Sequence, residues 1–122
     1  MNLRVIWLAL GWLWVVAVFY LSLMPHPPEP ITFDNSDKLE HMLVYGFLML
    51  WFCQFADYNR IRLAAAFVAM GAGLEVLQGM TDYRFFEYAD MLANSVGVLL
   101  GWALVHTPLG KTLKFLERYG KQ

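Results

Sequence analysis

The sequence predicts an all-α fold: an integral membrane four-helix bundle with both termini on the cytoplasmic side. Three observations predict it. The chain is 59% hydrophobic and only 16% charged, it contains four long apolar segments, and its charges are segregated by sign between alternate connections. A soluble domain of 122 residues would need more polar surface. The missing polar surface implies lipid. Five Trp, six Tyr and nine Phe add aromatic rings suited to the headgroup level of a bilayer. The whole chain, residues 1–122, reads as one transmembrane domain.

A helical span needs about 20 apolar residues. Residues 5–23, VIWLALGWLWVVAVFYLSL, supply nineteen without a charge. A secretory signal peptide is the competing reading, but its apolar core is typically ~7–15 residues and ends at a small-residue cleavage site. Here Met24-Pro25-His26-Pro27-Pro28 follows instead. Prolines stop the helix, so residues 24–36 are expected to form an external loop. The second span covers about 37–55, with Asp34, Asn35, Ser36 and Asp37 as capping residues before or at its start. Asp57-Tyr58-Asn59-Arg60 makes a polar turn, and residues 61–80 form the third span. Residues 81–88, TDYRFFEY, connect it to a fourth span over 89–106, which Pro108 and Gly110 terminate. The basic tail, 107–122, reads either as a short helix on an anionic membrane surface or as a solvated segment.

Charge orients these spans, because cytoplasmic connections carry the excess of Lys and Arg. Arg4, Arg60, Arg62, Lys111, Lys114, Arg118 and Lys121 fall on one side with only Asp57 and Glu117. The other side holds Lys38 and Arg84 against eight carboxylates, Glu29, Asp34, Asp37, Glu40, Glu75, Asp82, Glu87 and Asp90. Both termini are therefore expected inside. The expected location is the inner (plasma) membrane of a bacterium, crossed several times.

This orientation places the polar ends of spans two, three and four at one membrane level. Asp37, His41 and Tyr45 recur every four residues on one helix face, with Lys38 beside them. Glu75 and Gln78 share a face of the third span. Asp90, Asn94, Gly97 and Gly101 form a stripe on the fourth. Glu75 is expected about 8 Å inside its helix end at 1.5 Å per residue, a costly depth for a carboxylate. Intramembrane ionisable groups usually pair, face a bundle interior and mark function. Arg84, Lys38 and His41 are its candidate partners. His41, among carboxylates, is a candidate proton carrier. The bland alternative is that these side chains only hold helices in register.

Other residues carry plainer expectations. Gly97 and Gly101 form a GxxxG packing motif, and Gly71 and Gly73 are expected to act likewise. Trp7, Trp12, Trp14, Trp51 and Trp102 read as anchors and lipid-facing bulk. Cys53 reads as a buried small hydrophobe, His26 as solvated, and His106 has no assigned role. A metal site of His41, Glu75 and Asp90 is chemically possible but has no HExxH or paired-cysteine signature behind it, so it stays the minor option, and no metal and no cofactor is expected. Neither a phosphate-binding loop nor GxSxG is present. The few basic residues make no nucleic-acid footprint.

At these polar residues the chain resembles the VanZ-like family of small bacterial membrane proteins, named for an accessory protein of glycopeptide (teicoplanin) resistance. Asp37-Lys38-x-x-His41-x-x-x-Tyr45 and Glu75-x-x-Gln78 are similar to its second- and third-helix motifs. Arg84-x-x-Glu87-x-x-Asp90-x-x-x-Asn94-x-x-Gly97-x-x-x-Gly101 resembles its most specific block. The similarity covers about residues 20–105. It implies a cell-envelope setting more firmly than a reaction.

Two function classes follow. In the first, a polar site at the outer face binds or acts on an amphiphilic or lipid-linked envelope molecule, with a link to antibiotic resistance. Glu75, His41 and Asp90 are then the catalytic candidates, and Asp37, Lys38, Tyr45, Gln78, Arg84, Glu87 and Asn94 the ligand-binding ones. Expected partners are membrane lipids and a lipid-linked or glycopeptide ligand, with no nucleic acid. In the second class the bundle is a non-catalytic scaffold or docking partner. The sequence does not choose between enzyme and binder, nor set an oligomeric state.

Overall fold

A computed structural model describes residues 2–24, 36–55, 58–81 and 88–120. These form five α-helices: α1 (Leu3–Leu23), α2 (Ser36–Phe52), α3 (Arg60–Gly79), α4 (Tyr88–Val105) and α5 (Thr112–Gly120), with a 3-10 turn at Pro108–Lys111 before the last. No strand occurs among the described residues. α1 ends at Leu23, immediately before the Met24-Pro25 step. Asn2 and Asn59 cap α1 and α3, accepting from the backbone N–H of Arg4 and Arg62. Each satisfies a donor that a helix start leaves open.

Three helices, α1, α3 and α4, are long and apolar enough to cross a membrane by length and composition. The second helix is shorter than the sequence reading expects. Its 17 residues rise about 25 Å at 1.5 Å per residue, and Asp37, Lys38 and Glu40 occupy its first two turns.

Among the described residues, α2 and α4 form the most extensive contact between helices. They run parallel, because Lys38 meets Asp90 at one end while Met42 meets Gly97 and Gly46 meets Gly101 further along. A Cβ on Gly97 would land on the Met42 carbonyl oxygen, and one on Gly101 on that of Gly46. Backbone therefore packs on backbone, as small residues permit between helices in lipid. Gly71 makes room for Asn94, whose Nδ2 would lie 2.7 Å from an added Cβ. Gly73 departs from the packing expectation, with nothing within 4 Å of an added Cβ.

α1 runs antiparallel to α2 through a paired tryptophan lock. Trp7 and Trp51 stack with centroids 3.7 Å apart and planes 9° from parallel. Each indole N–H donates to the other's backbone carbonyl, Trp7 Nε1 to Trp51 O at 2.9 Å and Trp51 Nε1 to Trp7 O at 2.8 Å. These two are not lipid-facing bulk, because an indole donor in an apolar setting gains most from a fixed acceptor. Trp12 and Trp14 are exposed near the middle of α1. The interior is filled by Leu48, Met49, Leu74 and Val98, with Cys53 buried among them as expected.

The backbone contacts predict a sharp contrast between glycines. Gly101→Val forces α2 away from α4, and overpacking of this kind typically costs ~1–3 kcal/mol. Thermal unfolding in detergent should show a lowered midpoint for Gly101→Val and no loss for Gly73→Ala.

Candidate functional site

The parallel register of α2 and α4 brings their charged first turns together. Lys38 Nζ lies 2.6 Å from Asp90 Oδ1, off hydrogen-bonding angle, so the contact is chiefly ionic. One turn deeper, His41 Nδ1 and Asn94 Oδ1 are 2.7 Å apart. Since a carbonyl oxygen only accepts, this geometry requires the His41 proton on Nδ1. Nε2 then faces Asp90 Oδ2 at 3.9 Å, too far for a hydrogen bond but within ion-pair reach once the ring is protonated. Both side chains of the Lys38–Asp90 pair are largely buried, at 23% and 10% exposure.

α3 closes the third side. Glu75 is 1% exposed, and Tyr45 on α2, also buried, lies within range of its charge. Glu75 stands four residues from the end of α3 at Gly79, hence about 6 Å deep. Gln78 turns to α1, its Nε2 donating to Ser22 O at 2.7 Å. The third-helix motif thus divides between two neighbours.

Lys38, His41, Asp90 and Asn94 therefore meet at the starts of α2 and α4, with Tyr45 further along α2 within range of the buried Glu75 of α3. The Asp37 side chain, Arg84 and Glu87 lie outside the described residues. Among the described residues no group of three or more His, Cys, Asp or Glu side chains could hold a metal ion. Sequence reasoning names Arg84, Lys38 and His41 as candidate partners of Glu75; Arg84 lies outside the described residues, Lys38 pairs with Asp90, and His41 meets Asn94.

Two contributors were missed. Gly46 had a usable signal, as it sits four residues after Met42 and presents a small surface to the Gly97–Gly101 stripe. Gln54, at the opposite end, had none. It is buried, donates from Nε2 to Leu50 O and Leu109 O, and accepts from Leu113 N through Oε1.

The fold and its polar end define a small helical protein with membrane-spanning character and an ionisable cluster between three helices. The chain belongs to the VanZ/LLP1 family, whose model matches residues 4–109. It is also similar to an uncharacterized protein of Schizosaccharomyces pombe, with 32% identity over 109 residues, 83% of this chain. The chain spans 64% of that relative's length. No solved structure matches it significantly.

Breaking a buried pair by removing one partner leaves an uncompensated charge, which costs more than removing both. Lys38→Met should lower the unfolding midpoint more than the double variant Lys38→Met/Asp90→Leu does. A double variant at least as damaged as the single would show that Lys38 and Asp90 are not coupled.

Proposed function

We propose that this chain is a multi-pass envelope membrane protein that binds the polar head of an amphiphilic or lipid-linked molecule at its acidic end. In this reading α2 also crosses the membrane, bringing the spans to four, both termini are cytoplasmic, and the cluster opens toward the outer face. Seven basic residues against two acidic ones on the terminal side, and two against eight on the other, support that orientation. The bacterial inner membrane is the proposed location.

The observation that carries the reading is the Lys38–Asp90–His41–Asn94 network beside buried Glu75. One polar pair is enough to fix helix register. Here three ionisable side chains and an amide meet in two turns, next to a buried carboxylate. Lys38 would meet a phosphate or carboxylate, exchanging Asp90 for the ligand. Nε2 of His41 would take up a proton, with Asp90 stabilising the resulting cation and Glu75 the second acid–base group. A relative in a eukaryote favours a ligand class common to many membranes over one confined to a single wall type. Glycopeptides with an apolar tail belong to the same amphiphilic class, which is how a link to teicoplanin susceptibility would arise.

A scaffold reading has its own support, since Lys38 and Asp90 already pair as ions across α2 and α4. The two readings differ in what conservative changes do. Glu75→Gln and His41→Gln are expected to leave membrane abundance within about twofold and to remove function, read as loss of complementation in a deletion strain. Loss of the protein itself in both variants would instead favour the scaffold.

Topology has a separate test. Reporters placed after Gln122 and within residues 26–32 should score on opposite sides of the membrane, and the same side for both would overturn the orientation.

A further inference from the structure

At the end of the molecule opposite the ionisable cluster, the turn after α4 and the helix α5 enclose an open groove of about 610 Å³. Lys111, Lys114, Arg118 and His106 line it together with the apolar Leu109 and Phe115. The three cations are exposed, and no carboxylate among the described residues pairs with them; the one acid on α5, Glu117, reaches Arg4 at 4.0 Å.

The groove is held in shape rather than left to a swinging tail. Buried Gln54 bridges the end of α2 to both the turn and α5, through Leu109 O at 2.9 Å and Leu113 N at 3.0 Å. Leu113 is buried against Trp7 and Phe55. Arg4 covers the Phe55 ring with its guanidinium carbon 5.2 Å from the centroid. Gly110 lets the turn fold back onto the Val105 carbonyl, where any Cβ would collide. Thr107 caps the turn, accepting from Leu109 N at 3.2 Å.

We propose that this groove is a binding site for the headgroup of an anionic phospholipid drawn from the adjacent leaflet. Its chemistry is two-sided. Lys111, Lys114 and Arg118 match a phosphate, while Leu109 and Phe115 offer apolar surface to the glycerol and the first acyl carbons. A soluble phosphate would gain nothing from that apolar wall. The place also fits, because the groove opens where α4 leaves its apolar segment, with Leu104 exposed just above. α5 carries Phe115, Leu116 and Tyr119 exposed, the arrangement of a helix lying in the interface plane.

Native mass spectrometry of the delipidated full-length protein tests this with phosphatidylglycerol, phosphatidylcholine and inorganic phosphate as probes. Three surface cations should favour the anionic lipid on the order of a hundredfold over the zwitterionic one. The triple variant Lys111→Gln/Lys114→Gln/Arg118→Gln should lose that preference, and Gln54→Leu should weaken it by undocking the groove. Arg62→Gln, which removes an exposed cation that does not line the groove, should leave it unchanged. Equal retention of the two lipids by wild type overturns the proposal, as does displacement of phosphatidylglycerol by millimolar inorganic phosphate. Full selectivity in Gln54→Leu reduces the site to a polybasic surface and overturns the groove. Should the triple variant fail to fold, salt decides on wild type: selectivity must collapse between about 50 and 500 mM NaCl, and persistence sinks the idea.

Discussion

Everything at the polar end depends on how closely two backbones approach. In lipid the hydrophobic effect does not press helices together, so association rests on packing and on interhelical polar contacts. Gly46, Gly97 and Gly101 provide the first. With larger residues there, α2 and α4 would separate by ångströms, and Lys38 would no longer reach Asp90 at 2.6 Å. The glycines deep in the pair and the charges at its end are therefore one device. Packing sets the distance, and electrostatics uses it.

The two ends of the molecule solve different problems. At the acidic end the ionisable groups are brought inward, against Tyr45 and Glu75, where low polarity strengthens each interaction and raises the cost of leaving any group unmatched. At the basic end the cations stay exposed, and a neutral amide, Gln54, does the buried work of joining α2 to α5. A neutral side chain suits that task. It satisfies two backbone carbonyls and one N–H without the desolvation cost of a charge. The exposed cations then remain available to whatever lies at that surface.

Most of the helical plan was legible because apolar length and proline position are one-dimensional signals. Residues 5–23 and the Met24-Pro25 step place α1 within two residues of its observed bounds. The stripes on α2 and α4 were legible for the same reason, since side chains three and four apart share a face. Partner choice was not. Spacing says that His41 faces inward, yet only the parallel register decides that it meets Asn94 rather than Glu75. The Trp7–Trp51 lock was hidden because a tryptophan facing lipid and one facing a neighbour's carbonyl have identical sequence signatures. Gln54 was hidden because its partners are backbone atoms 55 and 59 residues away.

The shortness of α2 bears on how a ligand would approach. A hydrocarbon core is about 30 Å thick, and α2 rises about 25 Å, with its first turns charged. Its polar start therefore cannot lie far from the headgroup level unless the bilayer thins around it, and such mismatch is resolved by thinning, tilt or flanking polar residues at modest cost. Under the proposed orientation, Lys38 and Asp90 then sit at the depth of phosphates in the outer leaflet, with His41 and Glu75 just beneath. A molecule anchored in that leaflet meets Lys38 first and the proton-handling groups second. A solute arriving from water would have to cross the headgroups to reach the same order of contacts. Depth, more than the identity of any single side chain, is what favours an amphiphile over a soluble ligand.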